Sequence, residues 1–142
     1  MAADGIRHSE LRAVRVVVDS SGLIHALERR IDFEEMIGHV LGQPFTLAVT
    51  EAVKQELARM ASQPFGKLRL RAGLASKMCS RYTVAESTSQ NADESILEAC
   101  TLHAASVAFT DDFELRRRLR EHGVSTLVLT SDGRIVLVQG SS

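Results

Sequence analysis

The sequence has little of what several common protein classes require. Only two of its 142 residues are cysteines, and Cys79 and Cys100 are far apart with no C-x-x-C motif. Neither a four-sulfur zinc site nor a disulfide framework is therefore expected. Tryptophan is absent and aromatic residues make up 4% of the chain, which argues against base stacking as the main mode of any contact with nucleic acid. No apolar run is long enough to span a bilayer, and no apolar signal segment occurs near the N-terminus, so we expect a cytoplasmic protein with no membrane partner.

Charge is nearly balanced, and proline is rare. The formal net charge is −1, hydrophobic residues make up 44% and charged residues 25%, and there are two prolines. This composition is typical of a folded globular chain and not of a disordered one. We predict a flexible N-terminal lead-in over residues 1–13 and a single domain over residues 14–142, long enough to bury a core of its own.

Strand and helix patterns alternate along the chain. The β-branched run Val14–Val18 is typical of a strand buried on both faces of a parallel sheet, and we expect Ser20-Ser21-Gly22 to form a turn after it. Asp132-Gly133 between two apolar runs predicts a C-terminal β-hairpin. The alternation predicts an α/β fold with a mainly parallel sheet. Further strands are predicted over 45–49, 82–85 and 106–110.

Apolar residues at helical spacing predict which helix faces are buried. The segment 23–41 has apolar residues on more than one face, which leaves open either a homodimer surface or burial within the monomer. Two other helices have a single apolar face. Their predicted buried residues are Leu70, Leu74 and Met78 in one helix, and Ile96, Leu97, Cys100 and Ala104 in the other.

Acidic residues lie next to the predicted strands. Asp19 ends the first strand, Glu56 lies in the helix after the second, Asp93 opens the helix before the fourth, and Asp111 and Asp112 follow the fourth. The carboxyl ends of parallel strands meet at one edge of a sheet, so these side chains are expected to converge. Two carboxylates about 5 Å apart repel by roughly 3 kcal/mol at an effective dielectric constant of about 20. Such a cluster binds either protons or a hard cation such as Mg²⁺ or Mn²⁺.

Each acid also has a purely structural interpretation. Glu56 could be an exposed helix residue paired with Arg59, and residues 91–94 and 111–114 both resemble helix caps in which acids favour the first turn. Taken one at a time, most of these acids need no function. Only their joint order and spacing favour a metal site.

Four segments together resemble a known family. They are Val-Val-Val-Asp-Ser-Ser-Gly-Leu-Ile at 16–24, Thr-Glu-Ala-Val-Lys-Gln-Glu-Leu at 50–57, Ala-Asp-Glu-Ser-Ile-Leu-Glu-Ala at 92–99, and Phe-Thr-Asp-Asp-Phe-Glu-Leu-Arg-Arg-Arg-Leu at 109–119. Their order is similar to that of the PIN-domain family of metal-dependent ribonucleases. The arginine-rich last segment resembles the archaeal and ribosomal-RNA-processing branch more than typical VapC toxins. The resemblance implies a three-layer α/β/α sandwich and endonucleolytic cleavage of RNA.

The resemblance also implies roles for individual residues. The four acidic positions of the family would be both catalytic and metal-binding, holding one or two Mg²⁺ or Mn²⁺ ions. They match Asp19, Glu56, Asp93 and Asp112. Asp112 is preferred to its neighbour because it lies two residues after Thr110, as the motif requires. The expected auxiliary residues are Ser20, Glu94, Thr110 and Asp111.

Two basic clusters provide candidate RNA contacts. No acid occurs between Leu57 and Ala85, where six basic residues lie, and a run of arginines begins at Arg116. At 100° per residue, at most two arginines of that run can face one partner. Solvated helix faces are the alternative, but a phosphate backbone needs cations beside an acidic pocket. The candidates are Arg69, Arg71, Arg116 and Arg117.

The expected function is a divalent-metal-dependent endoribonuclease, with ribosomal RNA processing as its role. A VapC-like toxin with an antitoxin partner is one alternative. A catalytically idle module that binds RNA or a pre-ribosome partner is another. A receiver-type phosphoacceptor domain is disfavoured because no lysine follows Lys77, and a P-loop is excluded because no G-x-x-x-x-G-K motif occurs.

Overall fold

The computed structural model describes residues 13–140, which contain six strands and six helices. The strands are β1 (Val14–Val18), β2 (Phe45–Thr50), β3 (Thr83–Ala85), β4 (Ser106–Phe109), β5 (Ser125–Leu129) and β6 (Ile135–Val138). The helices are α1 (Ser20–Glu28), α2 (Phe33–Leu41), α3 (Glu51–Ala61), α4 (Lys67–Cys79), α5 (Ala92–Leu102) and α6 (Phe113–Glu121). Apart from Ala13, the predicted lead-in lies outside the described residues.

The strands form one sheet in the order β3-β2-β1-β4-β5-β6. The first five are parallel, and β6 pairs antiparallel with β5 in the register Thr126↔Val138 to Leu129↔Ile135. Val16, Val17 and Val18 are fully buried because β1 lies inside the sheet. The mainly parallel α/β sheet and the C-terminal hairpin are therefore confirmed.

Helices cover both faces of the sheet. The chain moves from β1 to β2 to β3 in one direction and from β3 to β4 to β5 in the other. Right-handed crossovers then place α1 to α4 on one face and α5 and α6 on the other. The contacts agree, because α4 packs on α3 and α1 while α6 packs on β5 and α5. This is the three-layer sandwich that the sequence indicated.

The strand order reverses between β1 and β4, which are neighbours in the sheet but lead into helices on opposite faces. In open α/β sheets a crevice forms at such a point, outside the carboxyl ends of the two strands. Asp19 follows β1 there and Thr110 follows β4. The topology thus brings together two segments that are far apart in sequence.

Two local predictions at helix ends were wrong. Ser20-Ser21-Gly22 is not a turn but the start of α1, because the Asp19 side chain caps the helix by accepting a hydrogen bond from the backbone N–H of Ser20. At the other helix, α5 ends at Leu102 and Ala104 is exposed, although the other three residues predicted for that face are buried. None of the helices in residues 13–140 is long and apolar enough to cross a membrane.

The predicted buried face of α4 was also wrong. Leu70 and Leu74 are 66% and 50% exposed, and only Met78 of the three predicted residues is partly buried against the core. The buried residues of α4 are Ala72, Ala75 and Cys79, whose small side chains allow α4 to pack closely on α3 and α1. The apolar residues spaced four apart do share one face of the helix, but it is the opposite face that is buried.

Apolar residues in the segment 23–41 are buried or partly buried within the monomer. Leu23, Ile24, Phe33 and Ile37 are each at most 7% exposed. Of the two interpretations left open by the sequence for this segment, burial in the monomer is therefore the one observed. The largest group of exposed apolar side chains lies instead on α4 and the loop before it, at Phe65, Leu68, Leu70 and Leu74.

Candidate active site

Asp19 is buried and tightly held at the junction of β1 and α1. Only 4% of the residue is exposed. Its Oδ1 accepts a hydrogen bond from the N–H of Ser20 (2.8 Å), and its Oδ2 accepts from Ser21 Oγ (2.8 Å) and Thr110 Oγ1 (2.7 Å). Burial raises the pKa of Asp19 above its ordinary value, the three hydrogen bonds oppose that rise, and the charge of Glu56 adds to it. The carboxylate is thus fixed in direction.

The hydroxyl of Thr110 links the ends of β1 and β4. It is fully buried, donates to Asp19 Oδ2, and accepts a hydrogen bond of 3.1 Å from the N–H of Asp112. Asp112 in turn caps α6, since its Oδ1 accepts from the N–H of Leu115 (3.0 Å). A single side chain therefore positions two of the predicted carboxylates relative to each other.

The two adjacent aspartates after β4 have different surroundings. Asp111 Oδ2 lies 3.2 Å from His25 Nδ1, and the backbone N–H of Asp111 donates to Ser21 Oγ (3.1 Å). The charge of Asp112, and not that of Asp111, acts on the pKa of Asp93. Asp112 is therefore the one that belongs with the other carboxylates.

A buried hydroxyl pair positions the helices of Glu56 and Asp93. Thr50 Oγ1 accepts from the N–H of Val53 (3.2 Å), which caps α3, and lies 2.7 Å from Ser95 Oγ on α5. Both hydroxyl residues are fully buried. The helix with Glu56 and the helix with Asp93 are thus both attached to the end of β2. Ser20 Oγ additionally donates a hydrogen bond to Glu56 Oε1.

Negative charges from three other segments act on Asp93. Its pKa rises from 3.8 to about 6, first because of burial and then because of the charges of Asp19, Asp112 and Glu56, while Arg118 opposes the rise. The other three acids predicted from the sequence therefore lie close enough to Asp93 for their charges to act on it, and Glu56 also acts on Asp19. We refer to Asp19, Glu56, Asp93 and Asp112 as the carboxylate cluster.

The carboxylate cluster fits a divalent cation by its chemistry. Its donors are all carboxylate oxygens, which hard cations such as Mg²⁺ and Mn²⁺ prefer, and a cation would relieve the repulsion that raises the pKa of Asp93. As they stand, no three His, Cys, Asp or Glu side chains within residues 13–140 are grouped at ion-binding distance. Side-chain movement would therefore accompany binding.

The predicted auxiliary residues differ in position. Ser20 and Thr110 are buried beside the carboxylate cluster and hydrogen-bond to its members. Glu94 is exposed and its Oε1 lies 2.6 Å from Arg118 Nη2. Sequence reasoning missed Ser21 and Ser95 as positioning residues. A serine within the apolar face of α5 was the available signal for Ser95.

The arginines of α6 are not equivalent. Arg117 lies between Glu114 (2.9 Å) and Glu121 (2.5 Å), and Arg118 pairs with Glu94. Among the described residues, Arg116 and Arg120 form no ion pair. Of the two arginines predicted here to bind RNA, Arg116 retains an uncompensated charge.

The arginines of α4 show a similar difference. Arg71 Nη1 lies 3.9 Å from Glu28 Oε1, at the limit of an ion pair. Arg69 is half-buried, and its Nε has no hydrogen-bond partner among the described residues. Neither residue contacts the carboxylate cluster through a hydrogen bond in this part of the chain. Their predicted contact with RNA remains a prediction.

Gly22 allows α1 to approach β4 closely beside the carboxylate cluster. A Cβ at this position would lie 3.0 Å from the carbonyl oxygen of Phe109, whose backbone cannot yield easily. The same carbonyl accepts the N–H of Asp19 at 2.9 Å. We expect Gly22→Ala to lower the free energy of unfolding by about 2 kcal/mol, measured by urea denaturation.

Gly73→Ala is the matched control for this prediction. Gly73 lies inside α4, and a methyl group added there would have Ala61 Cβ as its nearest neighbour, at an ordinary 4.0 Å. Alanine should therefore raise stability there by about 0.5 kcal/mol, because glycine is a poor helix former. Equal stability of the two variants would show that the close approach of α1 to β4 is not constrained.

Comparison with known proteins agrees with this fold. The sequence model of the PIN-like domain family matches residues 16–132. The chain is 27% identical over 117 residues to ribonuclease VapC4 of Methanocaldococcus jannaschii, covering 81% of this chain and 89% of that protein. It is 28% identical over 136 residues to ribonuclease VapC9 of Archaeoglobus fulgidus, covering 95% and 96%.

The fold is also found in a solved structure. The structure of the PIN domain endonuclease Utp24 superimposes with a TM-score of 0.74 at 19% identity, over 92% of this chain and 98% of that one. At this identity the likeness concerns the fold alone. The family match spans all four members of the carboxylate cluster. The chain belongs to the PIN-like domain family.

Proposed function

We propose that this chain is a divalent-metal-dependent endoribonuclease that hydrolyses phosphodiester bonds in RNA. The observation that supports it most is the convergence of four carboxylates from four segments of the chain: buried hydroxyls link Asp19, Glu56 and Asp112 at the ends of β1 and β4, and the charges of all three act on Asp93. Repulsion between neighbouring carboxylates is costly, and a bound cation would offset it. The two archaeal relatives named as ribonucleases support RNA as the substrate.

The carboxylate cluster would hold one or two Mg²⁺ or Mn²⁺ ions. When bound, the metal generates a nucleophile from water at neutral pH and neutralises charge on the phosphate. Asp19 would act as the fixed ligand because three hydrogen bonds orient it. Ser20 would orient Glu56 through their hydrogen bond, and Thr110 would hold Asp19 and Asp112 in register.

The cellular role has two candidates. We propose RNA processing, with ribosomal RNA as the substrate class and a pre-ribosome as the setting, because the arginine-rich α6 lies next to the carboxylate cluster. The names of the archaeal relatives favour the alternative of a VapC-like toxin with an antitoxin partner. Growth arrest on expression of the wild-type chain, absent with Asp19→Asn, would favour the toxin.

We also propose that the chain forms a homodimer. Phe65, Leu68, Leu70 and Leu74 expose apolar side chains in and before α4, and a second copy of the chain would cover them. The proposal expects a dimer in light scattering of the wild type and a monomer after Leu70→Glu.

The direct test is cleavage of a fluorescent single-stranded RNA. We expect cleavage with Mg²⁺ or Mn²⁺, none with EDTA, and recovery when the metal is restored. Glu56→Gln should slow cleavage by about a hundred-fold or more, because it removes one charged ligand. Glu51→Gln, an exposed residue of the same helix, is the control and should cleave as the wild type does. RNA binding without cleavage under every metal condition would favour the catalytically idle module instead.

A further inference from the structure

A small cleft lies between α6 and the C-terminal hairpin. Its volume is about 220 Å³, less than the range typical of sites for drug-sized ligands. Phe113, at one end of the cleft, directly follows Asp112 in the chain. The cleft therefore begins one residue from the carboxylate cluster. It is lined by Phe113, Arg116, Arg120, Thr126, Val128 and Val138.

The wall formed by α6 combines an aromatic ring with two cations. Phe113, Arg116 and Arg120 lie at helical spacings of three and four, so they share one face. Phe113 is 63% exposed, and the guanidinium carbon of Arg116 lies 5.8 Å from the centre of its ring. An exposed aromatic ring beside a cation is a surface on which a nucleobase can stack.

The charge of this wall is not compensated by the protein. Arg117 and Arg118 each pair with a glutamate, whereas Arg116 and Arg120 form no ion pair within residues 13–140. Both are half-buried, so their side chains lie against the sheet. Arginine binds phosphate through paired hydrogen bonds. The cleft therefore favours an anionic ligand.

Polar atoms in the cleft lack partners. Thr126 is fully buried, and in the described part of the chain its Oγ1 has no hydrogen-bond partner. The Nε of Arg120 is likewise buried and unpartnered there. Buried polar atoms are normally satisfied, so an unpartnered hydroxyl and an unpartnered guanidinium N–H in the wall of one cleft indicate a ligand that has polar atoms as well as charge and that reaches them after a small side-chain movement.

We propose that this cleft binds one nucleotide of the RNA next to the scissile phosphate, with the base on Phe113, the phosphate on Arg116 and Arg120, and a polar atom of the nucleotide on Thr126. This inference rests on the proposed function, because the carboxylate cluster defines where the scissile phosphate lies. An apolar floor of Val128 and Val138 suits the second face of a base. An acidic segment of a protein partner is the competing occupant.

The test is binding of a short fluorescent single-stranded RNA, measured by anisotropy in EDTA so that no cleavage occurs. We expect Arg116→Gln and Arg120→Gln each to weaken binding by about ten-fold and to reduce the slope of log K against log salt by about 0.7, the value for one phosphate contact on a single strand. Phe113→Leu should weaken binding by about ten-fold without changing that slope. Arg134→Gln, which removes an exposed arginine of the hairpin turn, is the control and should bind as the wild type does.

Thr126→Val separates ligand contact from structure. The substitution replaces an unpartnered hydroxyl by a methyl group, so thermal stability should stay equal or rise while RNA binding falls by about three-fold. Unchanged RNA binding in all four cleft variants would overturn the proposal even if the wild type cleaves RNA. Binding that weakens only in the arginine variants would overturn the base-stacking part. Competition by an acidic peptide but not by a mononucleotide would assign the cleft to a protein partner.

The two proposals fail in different ways. A wild-type chain that binds RNA through the cleft but never cleaves it with Mg²⁺ or Mn²⁺ would refute the proposed activity and support the cleft. If the wild type and the cleft variants cleave RNA equally well, the proposed activity would be supported and the proposed role of the cleft in RNA binding would be refuted.

Discussion

Asp19→Asn is expected to lower the rate of RNA cleavage by about a thousand-fold or more, with no loss of fold. Asparagine keeps the shape of aspartate, and its amide oxygen can still accept the N–H of Ser20 at the start of α1. The hydroxyls of Ser21 and Thr110 can rotate to accept from its amide nitrogen. What is lost is one buried negative charge in the carboxylate cluster, on which metal binding and the stabilisation of transition-state charge would depend.

The control for this prediction is the neighbouring acid Asp111, which faces His25 and not the carboxylate cluster. Asp111→Asn makes the same chemical change close to the site and should keep the rate within about three-fold of the wild type. Single-turnover cleavage, together with RNA binding in EDTA and a thermal melt, measures both variants. A fully active Asp19→Asn protein with the wild-type melting temperature would show that the site is assigned wrongly.

The second large effect is expected in thermal stability with and without metal. Mn²⁺ at about a hundred times its dissociation constant should add about 2.7 kcal/mol to the free energy of unfolding of the wild type. Asp93→Asn should lose most of that gain, because one ligand is missing. In EDTA, however, the same variant should be more stable than the wild type at pH 7, since repulsion within the carboxylate cluster is relieved.

The stability that Asp93→Asn gains in EDTA should depend on pH, because the pKa of Asp93 is raised in the folded wild type. The folded-state pKa of about 6 exceeds the ordinary 3.8, so this group stabilises the fold fully below about pH 4, and the contribution is lost as pH rises through about 6. The raised pKa of the buried Asp19 acts with the same sign. Because solvent screens the half-buried Asp93, we expect its contribution to the free energy of unfolding to be only about 1 kcal/mol larger at pH 4 than at pH 7.

Urea denaturation in EDTA across that range measures this contribution. Asp93→Asn should flatten the profile between pH 4 and pH 7, whereas Glu51→Gln, exposed on α3, should keep the wild-type profile. The difference between the two neutralised variants isolates the effect of the carboxylate cluster from that of net charge. A profile of Asp93→Asn that is identical to that of the wild type would mean that Asp93 does not share its surroundings with the other acids.

Local patterns were enough to predict most of the secondary structure. The β-branched run of β1 and the Asp132-Gly133 turn of the hairpin specify their conformations through nearest neighbours, and both are observed. The motif spacing favoured Asp112, two residues after Thr110, over Asp111. In the structure, Asp112 is the one of the two whose charge acts on the pKa of Asp93. Such features depend on residues close in sequence.

The wrong prediction for the buried face of α4 has its cause in tertiary packing. The spacing of Leu70 and Leu74 defines a helix face, but the close packing of α4 on α3 and α1 favoured its alanines instead. Likewise, a run of arginines does not reveal that Glu94, 24 positions before Arg118, neutralises one of them. Residues that are distant in sequence decide which face of a helix is buried and which of several arginines is neutralised.

The sequence by itself determined the fold class, the order of the acids and the family, because apolar periodicity, turn chemistry and motif order are properties of the linear chain. Only the tertiary structure decided how the site is held. Asp19 and Thr110 are 91 residues apart and share a buried hydrogen bond, and Thr50 contacts Ser95 across 45 residues. The first pair exists because β1 and β4 are neighbours where the strand order reverses, and the second because α5 packs over β2 on its way from β3 to β4. A buried hydroxyl must find a partner wherever the packed chain brings one within reach.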